Sequence, residues 1–120
     1  MSLLARPLGR GDIVLVSFPF TDLSSQKVRP GLILTPDSSA SDFLLAFISS
    51  VVQVGAANPT DFVLEQDHPD FLSTGLKKTS VFRMNKLLTV NKTLIKKRLG
   101  RVSPSIQVEL DHRLRIATGL

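Results

Sequence analysis

One arginine and two serines are the residues of this 120-residue chain whose types and spacing best fit a chemical task. Arg29 stands between a polar stretch and the apolar run 31–34, and a second apolar run, residues 43–48, ends at Ser49 and Ser50. If the two runs are neighbouring strands, a guanidinium and a hydroxyl share one concave site. Because a guanidinium donates paired hydrogen bonds that match phosphate geometry, the pattern predicts a phosphate-binding site.

The loop before Arg29 offers additional ligand-binding groups and also a simpler explanation. Gln26 and Lys27 are placed to assist Arg29 in holding an anionic ligand. Alternatively, Arg29 pairs with Asp12 or Asp22 and only closes the loop. The spacing of the residues leaves both interpretations open.

Other kinds of catalytic site have little support in the sequence. The absence of cysteine excludes disulfides, thiolate chemistry and cysteine-based zinc sites. The two histidines, His68 and His112, are far apart, and Asp67 and Asp70 flank Pro69 as solvated turn carboxylates do. No glycine-rich phosphate loop and no nucleophile elbow is present. The sequence therefore predicts neither a metal ion nor a cofactor.

The positive charge of the chain is concentrated in its second half. Residues 1–60 carry four basic and four acidic side chains, whereas residues 61–120 carry eleven basic and six acidic ones, which accounts for the net charge of +5. Between Lys77 and Arg101 there are nine Lys or Arg and no Asp or Glu. Such a segment favours a polyanionic partner through counterion release, and a solvated basic face is the equally weighted alternative.

Short strands and one terminal helix must position these residues. We predict strands over residues 13–18, 31–35, 43–49, 61–64 and 79–90, the last as one or two strands, and a short helical turn over residues 93–99 that ends at Gly100. The final helix has Ser103 as its N-cap, Pro104 at its first position and Gly119 just past its end. These elements predict an α+β fold, a small and strongly bent sheet or partly open barrel with a packed C-terminal helix.

The length and hydropathy of the chain indicate how many domains it has and where in the cell it is found. Its length fits a single domain over residues 1–120, with a flexible stretch at residues 1–9. No apolar run approaches the ~20 residues of a membrane span, and the apolar residues 3–5 are too few for a secretory signal. We therefore expect a cytoplasmic protein that makes no contact with a membrane.

Several segments, taken in order, resemble the PemK/MazF family of toxins from bacterial and archaeal toxin–antitoxin pairs. They are residues 11–16, 28–34 and 45–50, followed by residues 75–76, 80–83, 86–87 and 99–103, so that they cover nearly the whole chain. The resemblance implies an SH3-like barrel, or strongly bent antiparallel sheet, with a C-terminal helix, working as a homodimer. It also implies a metal-independent endoribonuclease, an mRNA interferase, that cuts single-stranded RNA at short sequences and is bound by a cognate antitoxin protein.

The resemblance also assigns the site residues. It makes Arg29, in the Arg-Pro step, a catalytic residue, and it makes Ser49 the second one, because Ser49 stands where the family has a threonine. The serine keeps the hydroxyl and loses the methyl group that fixes a threonine rotamer. The loop before Arg29 also differs, since residues 24–27 replace a Gly-containing Glu-Gln segment.

The expected chemistry is attack by an RNA 2′-hydroxyl on the neighbouring phosphorus, which leaves a 2′,3′-cyclic phosphate and a 5′-hydroxyl. We expect Arg29 to stabilise charge on the phosphoryl oxygens and Ser49 to bind a phosphate oxygen or the attacking hydroxyl. The residues expected to hold flanking phosphates or bases are Gln26, Lys27, Ser50, Arg83, Asn85 and Lys86. Two alternatives stay open: a non-enzymatic toxin of the same fold that poisons DNA gyrase, and an RNA-binding module with weakened catalysis.

Overall fold

Six strands and one helix make up the described part of the protein. The computed structural model describes residues 7–17, 27–36, 41–50 and 58–120. The elements are β1 (Asp12–Ser17), β2 (Val28–Ile33), β3 (Asp42–Ser49), β4 (Asp61–Leu64), β5 (Ser80–Asn91), β6 (Ile95–Arg101) and α1 (Pro104–Thr118), with short 3-10 turns at Leu72–Thr74 and Lys92–Leu94. No helix in these ranges is long and apolar enough to span a membrane.

All six strands belong to one antiparallel sheet with the order β4-β5-β3-β2-β1-β6. The sheet is not closed, because β4 and β6 form its two edges. An antiparallel sheet followed by one C-terminal helix confirms the predicted α+β fold. Strand β2 begins at Val28, earlier than the predicted start at residue 31, so Arg29 lies within the strand.

Each face of the sheet is buried in its own apolar cluster. Successive residues of a strand point to opposite faces. Accordingly, Ile13 belongs to a cluster that includes Ile106 and Leu110 of α1, whereas Val14 belongs to a second cluster on the other face. Burial on both sides explains why β1 is almost continuously apolar, and Leu15 is the only residue of this strand that is not buried.

A bulge in β5 bends the sheet. The pairs Ala46–Leu87 and Phe47–Arg83 are consecutive on β3 but leave residues 84–86 of β5 between them. The first of these three residues, a methionine, is fully buried, and the other two are exposed. Extra residues in one strand increase its local bend and twist. The bulge also divides β5, since the half before it pairs with both β3 and β4 and the half after it pairs with β3 alone.

The helical turn predicted over residues 93–99 is wrong. The structure has a 3-10 turn, in which the Asn91 side chain accepts a hydrogen bond from the Thr93 N–H (3.0 Å), and then strand β6. Pairing with β1 satisfies backbone groups along β6 and lets Ile95 pack against an apolar cluster. Such a ladder outweighs local helix propensity, because a short isolated helix is marginal in water.

Helix α1 has the predicted ends. The Ser103 hydroxyl accepts a hydrogen bond from a backbone N–H of the first turn (3.3 Å), Pro104 is the first helical residue, and Gly119 caps the end with a φ of 74°. On the surface of the helix, Glu109 and Arg113, which are one turn apart, form an ion pair at 3.7 Å. Local capping signals therefore sufficed to define this element.

Candidate functional site

The ends of two neighbouring strands bring Arg29 and Ser49 into one cleft. In the antiparallel pairing of β2 with β3, Gly31 lies opposite Phe47. The same register, continued from Gly31 back to Arg29 on β2 and from Phe47 on to Ser49 on β3, places Arg29 at the level of Ser49. The cleft has a volume of ≈ 280 Å³ and is lined by Val28, Arg29, Pro30, Ile48, Ser49, Ser50, Leu76, Lys77, Lys78 and Ser80.

The carboxylate of Asp12, one of the alternative partners of Arg29, is held by two other arginines. Asp12 is completely buried at the start of β1. It accepts hydrogen bonds from Arg98 Nη2 (3.2 Å), Arg101 Nη1 (3.0 Å) and the Gly9 N–H (2.9 Å). These contacts tie the first strand to the last one.

Along the sheet, Arg29 lies well away from that buried carboxylate. Arg29 is exposed and lies opposite Val16, at the other end of β1 from Asp12. The second alternative partner, Asp22, lies outside the described residues. In the part of the chain that the structure describes, no carboxylate forms an ion pair with Arg29. The positive charge of Arg29 therefore faces the open cleft.

Two lysines that the sequence motifs did not indicate line the same cleft. Lys77 and Lys78 reach it from the segment between β4 and β5. Leu76 anchors this segment by packing against an apolar cluster, and the Ser80 hydroxyl donates to the carbonyl oxygen of Lys78 (2.8 Å). The basic run that begins at Lys77 was the only signal in the sequence for this arrangement.

Close backbone contacts hold the lysine segment against β6. A Cβ at Gly75, whose φ is 73°, would lie 2.0 Å from the Leu99 carbonyl oxygen, and a Cβ at Gly100 would lie 2.3 Å from the Ser73 carbonyl oxygen. Only glycine permits such approaches, and only glycine adopts the left-handed φ of Gly75 without strain. The Ser73 hydroxyl also donates to the Arg101 carbonyl oxygen (3.1 Å).

The residues predicted to hold flanking parts of a ligand are found in different places. Ser50 lines the cleft. Lys27 is exposed just before β2, and Gln26 lies outside the described residues. Asn85 and Lys86 are exposed on the β5 bulge and do not line the cleft. Their contact with a ligand stays a prediction.

Arg83 lies close to the cleft without lining it. On β5, Val81 pairs with Ser49 and Arg83 pairs with Phe47. Arg83 is therefore a diagonal neighbour of Ser49 on the same face of the sheet, with the two residues roughly 7–8 Å apart. Arg83 also forms an ion pair with Asp61 (3.8 Å). That carboxylate compensates part of its charge and orients its side chain.

The carboxylate of Asp70 has specific partners, whereas the sequence predicted a solvated turn residue. It accepts hydrogen bonds from Ser103 Oγ (2.7 Å) and Ser105 Oγ (3.0 Å) at the start of α1. These bonds, the one from Ser103 foremost, lower the pKa of Asp70 below its ordinary value. The Asp70 N–H donates to Nδ1 of His68 (2.9 Å) within the same turn, and the bonds from Ser103 and Ser105 tie the segment before the cleft lysines to the helix. Among the described residues, no three His, Asp or Glu side chains are grouped as metal ligands.

Solved structures with the same fold are toxins and endoribonucleases. The chain matches an endoribonuclease in complex with its cognate antitoxin, from a mycobacterial species, with a TM-score of 0.73 and 17% identity over 94% of this chain and 96% of that one. It matches the Mycobacterium tuberculosis toxin MazF-mt6 with a TM-score of 0.71 and 20% identity over 91% and 97% of the two chains. It matches MazF from Deinococcus radiodurans with a TM-score of 0.70 and 15% identity over 95% and 98%. Comparison with curated proteins finds no match.

The family follows from the sequence itself. Residues 9–118 match the family described as PemK-like, MazF-like toxin of type II toxin-antitoxin system. Since the match covers nearly all of the chain, the protein belongs to the PemK/MazF-like toxin family. The resemblance noted from the ordered sequence segments is therefore confirmed.

Proposed function

We propose that this protein is the toxin of a type II toxin–antitoxin pair and acts as a metal-independent, sequence-specific endoribonuclease on single-stranded RNA. The observation that carries the proposal is the cleft in which Arg29 and Ser49 come together from neighbouring strand ends, with Lys77 and Lys78 beside them. One guanidinium, one hydroxyl and two ammonium groups suit a phosphodiester and the charged phosphates on either side of it. Solved structures with this fold that are described as endoribonucleases support the same activity.

The proposed reaction transfers the phosphorus within the RNA strand. The 2′-oxygen forms a bond to the adjacent phosphorus while the bond to the 5′-oxygen breaks. The attacking hydroxyl loses its proton and the leaving 5′-oxygen gains one. The products are a 2′,3′-cyclic phosphate and a 5′-hydroxyl, so that atoms and charge balance without hydrolysis. The enzyme has to hold the in-line geometry and stabilise charge on the phosphoryl oxygens.

Arg29 is assigned the stabilisation of that charge. Its guanidinium stays protonated in proteins and donates two parallel hydrogen bonds to phosphate oxygens. A permanent cation cannot accept the 2′-hydroxyl proton, so Arg29 is not the general base. Ser49 is assigned a hydrogen bond to a phosphoryl oxygen or to the attacking hydroxyl, because its Oγ both donates and accepts.

The remaining polar groups are assigned to the rest of the RNA strand. Lys77 and Lys78 are in place to hold phosphates next to the scissile one, since they line the cleft. Ser50 and Arg83 lie on either side of Ser49 along the sheet and suit contacts with sugars or bases. The outer set predicted from the sequence, Gln26, Lys27, Asn85 and Lys86, is retained as part of the proposal.

We also propose a cognate antitoxin, a homodimeric toxin and a cytoplasmic location. Two solved structures of the same fold are described as complexes with an antitoxin or as MazE-MazF. The basic surface of this chain suits an acidic or amphipathic segment that folds on binding. Light scattering of the purified chain, alone and with the product of a neighbouring small reading frame, tests the dimer and the antitoxin.

The experiment that tests the activity is cleavage of a long RNA of known sequence by purified protein in the presence of EDTA. We expect cuts at a short recurring sequence, with 2′,3′-cyclic phosphate and 5′-hydroxyl ends. A DNA copy, or RNA with a 2′-deoxy sugar at the cut site, should stay intact. Cleavage of the DNA copy, or loss of all cleavage in EDTA, would refute the mechanism.

Two further assays separate the proposal from its alternatives. Inhibition of DNA gyrase in a supercoiling assay, without RNA cleavage, would identify a gyrase poison. Binding of RNA without cleavage, at equal affinity in the wild type and in Arg29→Ala, would identify an RNA-binding module. The endoribonuclease predicts cleavage by the wild type and almost none by Arg29→Ala.

A further inference from the structure

Two lysines on the open edge of the sheet carry charge that the described chain leaves uncompensated. Lys96 and Lys97 are exposed on β6. In the same strand, Arg98 and Arg101 bind the buried carboxylate of Asp12 at 3.2 Å and 3.0 Å. No carboxylate within the described ranges forms an ion pair with either lysine. The arginines of β6 thus have a structural partner, whereas its two central lysines present their charge to solvent.

A row of paired residues links Lys97 to the cleft. Leu15 of β1 pairs with Pro30 of β2 on one side and with Lys97 of β6 on the other. Directly opposed residues project from the same face of an antiparallel sheet. Neighbouring strands are about 4.8 Å apart, which puts Lys97 roughly 10 Å from Pro30 across the sheet. Since Pro30 lines the cleft and Leu15 is partly exposed, this row runs along one face of the sheet from the cleft to the sheet edge.

A bulge places Lys96 beside Lys97. Leu15 pairs with Lys97, but the next residue, Val16, pairs with Ile95, so Lys96 is the extra residue of β6. Bulges re-aim side chains and commonly lie next to functional sites. Here the extra residue adds a second positive charge at the point where the row from the cleft reaches the edge.

The lysines of the cleft approach the same region from the other side. Gly75 packs directly against the carbonyl group of Leu99. Lys77 lies two residues after Gly75, and Lys97 lies two residues before Leu99. The segment that carries the cleft lysines therefore contacts the strand that carries the edge lysines.

We propose that Lys96 and Lys97 form a second phosphate-binding subsite, which holds the backbone of single-stranded RNA where it leaves the cleft. The inference rests on the proposed function and extends it. The RNA leaves the cleft past Lys77 and Pro30, on the face of the sheet opposite to the one from which Arg29 projects, crosses β1 at Leu15 and reaches the edge of β6. An acidic peptide also suits two lysines, but the row of residues leads into a cleft that suits a phosphodiester, which favours RNA.

The test uses an oligonucleotide that the protein cannot cut. A fluorescent 2′-O-methyl oligouridylate of about 20 nucleotides supplies the phosphate backbone. Each phosphate that the protein neutralises contributes about 0.7 to the slope of log affinity against log salt concentration, so the loss of two contacts is measurable. In fluorescence anisotropy at several salt concentrations, we expect Lys96→Gln/Lys97→Gln to lower the slope of log affinity against log salt by about 1.4 and the affinity about tenfold or more near 0.1 M salt.

A matched control separates position from total charge. Lys97→Gln and Arg115→Gln each remove one exposed positive charge, the first on β6 and the second on α1. We expect Lys97→Gln to weaken oligonucleotide binding and Arg115→Gln to leave it unchanged. Thermal unfolding of all variants checks that the fold is intact, which the exposure of these side chains predicts.

Three results would overturn the subsite. The first is wild-type affinity and salt slope in Lys96→Gln/Lys97→Gln. The second is an equal loss in Arg115→Gln. The third is a double variant that loses binding of an oligoglutamate peptide but not of the oligonucleotide. Cleavage of natural RNA is measured separately, so a wild-type protein that cuts nothing while the binding results hold would refute the endoribonuclease and leave the subsite standing.

Discussion

The backbone of Gly75 lies so close to the carbonyl oxygen of Leu99 that a Cβ on Gly75 would be 2.0 Å from that oxygen. Leu99 belongs to the last strand of the sheet, and Gly75 is followed by the two lysines of the cleft. The position of those lysines is therefore set by a contact with a strand that does not line the cleft itself.

Gly75→Ala is expected to destabilise the fold and to displace the cleft lysines. The substitution adds a clash to the strain of a φ of 73°, and we expect a cost of at least about 2 kcal/mol. Gly119→Ala is the matched control, because Gly119 has a φ of 74° and a Cβ added there would meet nothing within 4 Å. Urea unfolding measures both. Equal losses of unfolding free energy in the two variants would show that the contact with Leu99 contributes nothing beyond the backbone strain of the positive φ.

Arg29→Lys tests whether the guanidinium acts through paired hydrogen bonds or through charge alone. Lysine keeps the charge and loses the bidentate geometry. We expect the rate of RNA cleavage to fall at least about 100-fold, as for other groups that stabilise a transition state. Stability should be unchanged, because Arg29 is exposed and lies outside both apolar clusters. Cleavage by Arg29→Lys near the wild-type rate would show that paired hydrogen bonds from the guanidinium are not needed for the reaction.

Ser49 is tested by a pair of substitutions. Ser49→Ala removes the hydroxyl, and we expect cleavage to fall about 10- to 100-fold if that group binds the reacting phosphodiester. Ser49→Thr keeps the hydroxyl and restricts its rotamers, so we expect a rate at least equal to that of the wild type. Single-turnover kinetics separates chemistry from binding. An alanine variant as active as the threonine variant would exclude the hydroxyl from the reaction.

Lys77 and Lys78 are expected to act on binding more than on chemistry. In Lys77→Gln/Lys78→Gln we expect KM to rise about tenfold, kcat to stay within about threefold, and the salt slope of RNA binding to fall by about 1.4. Lys86→Gln serves as the comparison, because Lys86 is exposed on the β5 bulge outside the cleft. A larger effect of Lys86→Gln would place the RNA over the bulge, as the sequence motifs alone suggested.

The carboxylate of Asp70 makes part of the stability depend on acidic pH. Hydrogen bonds from Ser103 and Ser105 lower its pKa in the folded protein below the ordinary value of 3.8. Its contribution is therefore fully present above that pH and is lost as the pH falls through the folded-state pKa. We expect the difference in unfolding free energy between the wild type and Asp70→Asn to be constant above about pH 5 and to change progressively in favour of the variant at lower pH. A difference that is the same at every pH would show that the serines do not stabilise the ionised carboxylate.

The elements that local signals define were predictable from the sequence. Ser103, Pro104 and Gly119 fix the ends of α1 by capping and by backbone geometry, which depend on adjacent residues only. The meeting of Arg29 and Ser49 also followed from the sequence, because two consecutive apolar runs joined by a short connection tend to pair in an antiparallel sheet.

The features that depend on distant contacts were not predictable in this way. Residues 95–101 have no strong strand signal of their own and form a strand because β1 offers an edge to pair with. Lys77 and Lys78 enter the cleft because Gly75 meets β6, which no periodicity near residue 77 reveals. The family resemblance suggested the activity, whereas only the folded chain shows these lysines beside Arg29.

The pairing of the first strand with the last has a consequence for the order of events during synthesis. The Asp12–Arg101 contact joins residues 89 positions apart, and contacts of such long range make folding slow. A growing chain cannot complete the sheet, or seat Gly75 on Leu99, until residues near 101 have emerged from the ribosome. We expect the cleft to form only after residue 101 has emerged, so that chains truncated before residue 95 lack both the ordered sheet and any activity of the cleft.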